Sequence, residues 1–189
     1  MAGHRRLPAV SRGTIAAAMV AVALLAAACG GGDGGSGRAS ADGTEGATID
    51  TSEGSGVPAV GFTRFDGGQG TFADYLGKPL VVNFFASWCA PCVREMPEIE
   101  QVHQDLGDQV TFVGVDVRDR LAEGQELATR TGVTYELVRD PGGDVLTAFG
   151  GALLPTTAFV TADGRITLLQ NHTYDAEELR AAIHEELLG

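Results

Sequence analysis

The feature that most constrains the fold is a pair of cysteines placed directly after a continuous apolar run. Leu80–Phe85 (Leu-Val-Val-Asn-Phe-Phe) has the composition of a strand buried on both faces. The motif Cys-Ala-Pro-Cys follows at 89–92, and residues 91–106 have helical spacing. A first cysteine at a helix N-terminus meets unpaired backbone N–H groups and the helix dipole, which favour its thiolate. The second cysteine lies one turn further along, so the spacing predicts a redox pair.

A Cys-X-X-Cys motif also occurs as half of a zinc site and as a purely structural disulfide. Zinc would need two further Cys or His at matching spacing, whereas His103, His172 and His184 stand singly. A disulfide across two intervening residues closes a very small loop and restricts the unfolded chain little. Stability alone therefore does not explain this spacing.

The chain from residue 57 onward alternates apolar strands with helical segments. Strands are predicted at 62–65, 80–85, 110–117, 157–160 and 166–169, and helices at 91–106, 121–131, 145–149 and beyond Asp175. Asp175 and Glu178 have capping-box spacing, and an Asp-Gly pair at 163–164 marks a hairpin turn. We expect an α/β domain over residues 57–189, with parallel central strands and an antiparallel edge.

Residues 1–28 have the pattern of an export signal. Residues 1–14 contain three arginines and no acid, and residues 15–28 are all apolar. Such a run is too short for a comfortable membrane span, which needs about 20 residues. The segment 24–29 (Leu-Leu-Ala-Ala-Ala-Cys) resembles a bacterial lipobox, with Ala26 where leucine is usual. The resemblance implies cleavage before Cys29 and its lipidation, and thus a lipid-anchored protein on the extracytoplasmic face of the cell membrane.

Residues 29–56 are predicted to be a flexible tether between the lipid and the domain. Ten glycines and four serines occur among residues 30–56. This composition cannot bury enough apolar surface to fold.

The charge balance excludes two classes of binding protein. The chain has 13 Lys+Arg against 25 Asp+Glu, a net charge of −12. Cleavage before Cys29 would remove three arginines and leave 10 basic residues against 25 acidic ones. Such a chain does not neutralise nucleic-acid phosphates, and an anionic leaflet repels it. Attachment to a membrane would therefore depend on acyl chains.

These features together resemble the thioredoxin superfamily, and within it the membrane-tethered TlpA/ResA-like thiol–disulfide oxidoreductases. The matching segments are the apolar strand with its Trp-Cys-X-Pro-Cys motif, Pro97 five residues after Cys92, the Leu-Pro-Thr-Thr loop at 154–157 and the Asp-Gly turn. The resemblance covers residues 57–188. It implies a thioredoxin-like fold, a central mixed sheet flanked by helices, with no metal or organic cofactor.

The resemblance also implies a role for each motif residue. Cys89 would be the exposed attacking thiolate and Cys92 the more buried resolving thiol, the two forming a redox-active disulfide. Trp88 would shield the motif and offer an aromatic surface to a partner protein. Pro155 would follow a cis peptide bond, which exposes backbone groups of Leu154 for strand-like pairing with a substrate peptide.

Glu95 is the predicted proton-transfer group. Thioredoxins have a buried Asp in the strand, six positions before the first cysteine, where this chain has Asn83, which cannot accept a proton. Glu95 lies three residues after Cys92 and so shares a helix face with it. The resemblance includes a Glu here, and we expect it to tune the thiol pKa values and to shuttle a proton. The alternative is a solvated surface Glu stabilised by the helix dipole.

The predicted function is disulfide exchange with exported proteins. The TlpA/ResA-like branch is mostly reducing, with apocytochrome c among its substrates and a transmembrane electron donor, and we expect a monomer. An oxidant that installs disulfides in exported proteins is the main alternative, since potentials in this fold run from about −270 to about −120 mV.

Three further functions make distinct demands on the sequence. A Sco-type copper chaperone places three residues between its cysteines and uses a distal His; here only two intervene, although His172 is available. A peroxidase of this superfamily usually has Thr where this chain has Ala86. A binding lipoprotein with an inert disulfide would have a Cys89 that does not react with alkylating reagents after mild reduction.

Overall fold

The computed structural model describes residues 55–189, which form one seven-stranded mixed sheet with helices packed against it. The strands are β1 (Gly61–Arg64), β2 (Gln69–Thr71), β3 (Leu80–Phe85), β4 (Thr111–Val117), β5 (Glu136–Asp140), β6 (Thr156–Val160) and β7 (Ile166–Gln170). The helices are α1 (Ala90–Leu106), α2 (Leu121–Thr131), α3 (Asp144–Ala148) and α4 (Ala176–Ile183), with a short 3₁₀ turn at Phe72–Tyr75 and a π turn at His184–Leu188.

The strand order is β2-β1-β5-β4-β3-β6-β7. The three central strands β3, β4 and β5 run parallel, whereas β6, β7, β1 and β2 each pair antiparallel with their neighbours. The predicted α/β domain with a parallel centre and an antiparallel edge is confirmed. So is the thioredoxin-like fold.

Alternate residues of β3 belong to different hydrophobic cores, because successive side chains of a strand point to opposite faces of the sheet. Leu80, Val82 and Phe84 lie in one core, together with Phe149 after α3. Val81 lies in another core, with Ile99, Val102 and Leu106 of α1 and the buried residues of α4. Burial on both faces explains why this strand is a continuous apolar run.

Helix α1 starts beneath the end of β3 and has one buried face. Its buried residues recur at helical spacing: Cys92, Glu95, Met96, Ile99, Val102 and Leu106. Pro91 occupies the first turn, where its missing N–H loses no hydrogen bond, and Pro97 lies inside the helix. The capping box predicted for α4 is present, because the Asp175 carboxylate accepts from the Glu178 amide at 2.9 Å and the Glu178 carboxylate accepts from the Asp175 amide at 3.5 Å.

The sequence pattern does not predict β5, which lies between β1 and β4 in the sheet. Only Val138 and Asp140 of this strand are buried. The Asp140 carboxylate is satisfied by the amides of Gly143 at 2.9 Å and Leu146 at 3.0 Å. A buried aspartate that caps the following turn cannot be recognised from an apolar pattern.

The predicted signal peptide and Cys29 lie outside the described residues, as does the predicted tether apart from its last two residues. Of these, Gly56 forms an isolated antiparallel bridge with Arg165 in the β6–β7 hairpin. Between residues 55 and 189, every helix is too short or too polar to cross a bilayer.

Candidate functional site

The two cysteines of the motif form a disulfide at the N-terminus of α1. Cys89 is the N-cap residue, and its Sγ accepts a hydrogen bond from the Cys92 backbone amide at 3.3 Å. Their Cα atoms are 5.3 Å apart. In the reduced protein the same amide would face the Cys89 sulfur and favour its thiolate, since the first amides of a helix have no partner within the helix.

The two sulfurs differ in exposure, and Cys89 is less exposed than the sequence predicts. Cys92 is fully buried, as expected for a resolving thiol, but only 6% of Cys89 is accessible. Both cysteines belong to a small apolar cluster with Phe85, Ala86, Met96 and Leu127, and Leu154 packs against it. This packing leaves only a small fraction of Cys89 accessible to a partner.

The loop before β6 contains the cis peptide bond between Leu154 and Pro155 that the sequence predicts. Two side chains fix this loop. The Thr156 hydroxyl donates to the Leu153 carbonyl at 2.7 Å, and the Asn171 amide donates to the Pro155 carbonyl at 2.6 Å. Asn171 directly follows the last strand, and its side chain holds the proline loop.

An apolar cleft lies between the Trp88 segment and the proline loop. It has a volume of about 260 Å³ and is lined by Trp88, Val117, Arg118, Leu146, Ala152, Leu153 and Leu154. Trp88 is 64% exposed, so it offers the free aromatic surface that the resemblance implies, and its role as a shield of the motif stays a prediction. Leu153 is 66% exposed and was not predicted. The sequence signal that could have indicated this residue is the Leu153-Leu154 pair directly before Pro155, in a glycine-rich loop.

Glu95 is a buried carboxyl and not a surface residue. Only 1% of it is accessible, so the alternative of a solvated helix-surface Glu is wrong. Its Oε1 accepts a hydrogen bond from the Asn83 amide at 2.6 Å, and its Oε2 accepts one from the Tyr174 backbone amide at 3.2 Å. Burial raises the pKa of Glu95 to about 7, against the two hydrogen bonds, which lower it. The carboxyl is therefore poised to bind or release a proton near neutral pH.

Asn83 connects Glu95 to the strand that follows the proline loop. Its amide group donates to both Glu95 and the Thr157 hydroxyl, the latter at 3.1 Å. Asn83 and Thr157 are register partners in β3 and β6. The three residues form a buried polar network one helical turn from Cys92.

We expect Asn83→Ala to raise the pKa of Glu95 above about 7, because the substitution removes a donor that stabilises the carboxylate. The measurement is an NMR titration of the Glu95 side-chain carboxyl carbon. Thr157→Val is the matched control, since it removes the other partner of Asn83 and leaves the bond to Glu95 in place. A pKa that stays the same or falls in Asn83→Ala would show that this hydrogen bond does not set the charge of Glu95.

Comparisons with known proteins agree with this geometry. The model of the AhpC/TSA family matches residues 54–169. The thiol-disulfide oxidoreductase ResA of Geobacillus thermodenitrificans is 32% identical over 130 residues, which are 67% of this chain and 74% of that protein.

Two solved structures share the fold at comparable identity. The structure of MTB DsbF, in mixed oxidised and reduced forms, aligns with a TM-score of 0.63 and 30% identity over 67% of this chain and 93% of that one. A secreted Mycobacterium tuberculosis disulfide oxidoreductase homologous to Escherichia coli DsbE aligns with a TM-score of 0.61 and 26% identity, over 67% and 95% of the two chains. With its cysteine pair at the start of α1 and the proline loop beside it, the chain thus belongs to the AhpC/TSA family, among the thiol–disulfide oxidoreductases of the ResA type.

Proposed function

We propose that this protein reduces disulfides in exported proteins, such as apocytochrome c, on the extracytoplasmic side of the cell membrane. The observation that carries the proposal is the asymmetry of the cysteine pair. Cys92 is sealed in the core, whereas Cys89 keeps a small accessible fraction and directly follows the exposed Trp88. A partner disulfide can therefore reach one sulfur and not the other.

The reaction follows from this asymmetry. The Cys89 thiolate attacks one sulfur of the substrate disulfide, forms a mixed disulfide and releases the first substrate thiol. The Cys92 thiol then loses its proton to Glu95, and its thiolate attacks the Cys89 sulfur. That step breaks the mixed disulfide and releases the second substrate thiol. The substrate gains two electrons, and the enzyme is left with the Cys89–Cys92 disulfide, which a transmembrane electron donor reduces again.

Substrate binding is assigned to the cleft and the proline loop. Trp88 offers an aromatic face, and the backbone of Leu154 before Pro155 offers groups for pairing with an extended peptide. Leu153, which is largely exposed next to them, would contact an apolar side chain near the substrate cysteine. The protein would act as a monomer, since the reaction needs only one cysteine pair.

The cellular location rests on the N-terminal sequence. An export signal over residues 1–28, lipidation of Cys29 and a glycine-rich tether would hold the domain close to the outer surface of the membrane. Support comes from the M. tuberculosis relative, which is described as secreted. The three arginines of the chain's first 28 residues are the basic start that such a signal requires.

The reduction potential of the cysteine pair tests the direction of electron flow. We expect a value near or below about −270 mV for the full chain equilibrated against glutathione and dithiothreitol buffers. Cys29→Ser is the background for this measurement, because it removes the third cysteine of the chain from the equilibrium. A value near about −120 mV would instead identify an oxidant that installs disulfides and would exclude the reductase proposal.

A further inference from the structure

Two aspartates that the proposed reaction does not use lie buried behind the loop that carries Cys89. Asp116 is in β4, in register with Phe85 of β3, and Asp119 follows β4. Their exposed fractions are 1% and 6%. Asp119 Oδ2 accepts a hydrogen bond from the Ser87 backbone amide at 2.6 Å. Because Ser87 lies two residues before Cys89, this bond ties the active-site loop to the end of β4.

The remaining oxygens of these carboxyls have no donor among the described residues. Both oxygens of Asp116 and Oδ1 of Asp119 are buried without a hydrogen-bond partner. The space around them is closed: a Cβ placed on Gly124 of α2 would lie 2.2 Å from Asp116 Oδ2. A buried carboxylate without a partner is costly, and two ionised carboxylates can only accept hydrogen bonds. The two groups satisfy each other only when one is protonated and donates to the other.

The charged groups around Asp116 favour the protonated form. Burial is the main cause that raises the pKa of Asp116 to about 8. The adjacent Asp119 is the second cause, and Glu123 of α2 acts in the same direction. Arg139 of β5, the register partner of Asp116, lowers this pKa by a smaller amount. Its guanidinium contacts the Asp119 backbone carbonyl at 3.4 Å, and none of the ion pairs found in residues 55–189 includes it.

We propose that Asp116 and Asp119 share one proton and act as a positioning pair for the active-site loop. While the proton is shared, Asp119 is held between Asp116 and the Ser87 amide. Loss of the proton to solvent leaves two buried negative charges that repel each other. The displacement of Asp119 then moves Ser87 and the Trp88–Cys89 segment attached to it. The effect on catalysis rests on the proposed role of Cys89, whereas the shared proton and the loop movement do not.

The fluorescence of Trp88 tests the pair, because it is the single tryptophan of the chain and directly follows Ser87. The experiment uses the full chain in its oxidised form, so that Cys89 and Cys92 do not titrate. We expect the wild-type emission to change between pH 7 and 10 with a midpoint near 8. Asp116→Asn should abolish this transition, since an amide N–H donates to Asp119 at every pH.

Two control variants test whether the fluorescence change comes from the Asp116–Asp119 pair and not from another acid. Asp108→Asn makes the same substitution at an exposed turn and should keep the wild-type curve. Glu95→Gln removes the other buried carboxyl near the cysteines and should keep the midpoint near pH 8. A wild type without a transition would overturn the proposal, as would an Asp116→Asn protein with an unchanged one.

Two further measurements keep the test decisive. If Asp116→Asn does not fold, hydrogen exchange of the Ser87 amide in the wild type replaces it. After correction for the intrinsic pH effect, we expect faster exchange at pH 9 than at pH 7, and equal rates would overturn the proposal.

In the reduced protein, Asp116→Asn should also remove the step near pH 8 from the rate of Cys89 alkylation. If fluorescence responds as expected but the wild type does not reduce disulfides, the carboxyl pair stands and only the proposed function fails.

Discussion

Cys89→Ser is expected to abolish disulfide reduction. The attacking group of this chemistry is a thiolate, and a serine hydroxyl is not ionised at neutral pH, so the first step has no nucleophile. Cys92 cannot substitute, because it is fully buried behind Cys89. We expect the rate of reduction of a small aromatic disulfide to fall by on the order of 10³-fold or more, to the rate without enzyme.

Cys92→Ser separates the roles of the two sulfurs. This variant keeps the attacking thiolate and lacks the resolving one, so it should form the mixed disulfide and stop there. Mass spectrometry under non-reducing conditions should show one substrate molecule attached to Cys92→Ser and none attached to Cys89→Ser. Both variants are made in the Cys29→Ser background, which leaves a single cysteine in each. A mixed disulfide on Cys89→Ser instead would reverse the assignment of the two cysteines.

The elements that surround the cysteine pair are predictable because their signals are local. The strand β3 is a run of six buried residues, and its predicted bounds match those of the structure. The start of α1 is marked by a proline in the first turn, and α2 has its predicted bounds with Gly132 in a left-handed conformation at its end. Such signals depend only on residues that are close together in the chain, so they can be recognised from the sequence without the tertiary structure.

The charge state of the site depends on distant segments and is less predictable. Glu95 is buried because the chain returns 79 residues later and places the Tyr174 amide on its carboxylate. The Asp116–Asp119 pair also depends on distant segments, since Asp116 lies beside Phe85 and Asp119 binds the Ser87 amide only when β4 lies beside β3. The one local hint is Asp116 itself, an acid inside a largely apolar strand.

The exposure of the residues in the catalytic motif also cannot be predicted from the sequence alone. A resemblance to a family predicts which cysteine attacks, but the opening left to Cys89 is set by how Leu154 and the proline loop pack against it. Trp88 is a large apolar side chain, yet 64% of it is exposed. Both features are results of loop packing, in which few residues have a strong local preference.

Glu95→Gln is expected to stabilise the oxidised protein at neutral pH and to leave it unchanged at acidic pH. The pKa of Glu95 is raised from 4.5 to about 7 in the folded state. Between these values the native protein holds a proton that the unfolded chain has released, so the free energy of unfolding of the wild type falls as the pH rises through this window. Glutamine resembles the protonated carboxyl and does not titrate, and we expect a gain of up to about 3 kcal/mol at pH 7.5.

Urea unfolding at pH 4, 6 and 7.5 measures this difference. Glu126→Gln, the same substitution at an exposed position of α2, is the matched control and should behave as the wild type at each pH. A Glu95→Gln protein that is equally stabilised at pH 4 and pH 7.5 would exclude titration of Glu95 as the cause.

The same variant should slow the resolving step, because Glu95 is the proposed acceptor of the Cys92 proton. In the wild type, the rate at which the mixed disulfide releases its substrate should rise through pH 7 as Glu95 ionises and becomes able to accept that proton. Glu95→Gln should lower this rate by on the order of 10²-fold and remove the rise around pH 7. Stopped-flow release of a chromophoric thiol between pH 5.5 and 8.5 gives both quantities. An unchanged pH profile in Glu95→Gln would show that Glu95 does not accept the Cys92 proton and that its role is confined to packing α1 against Tyr174.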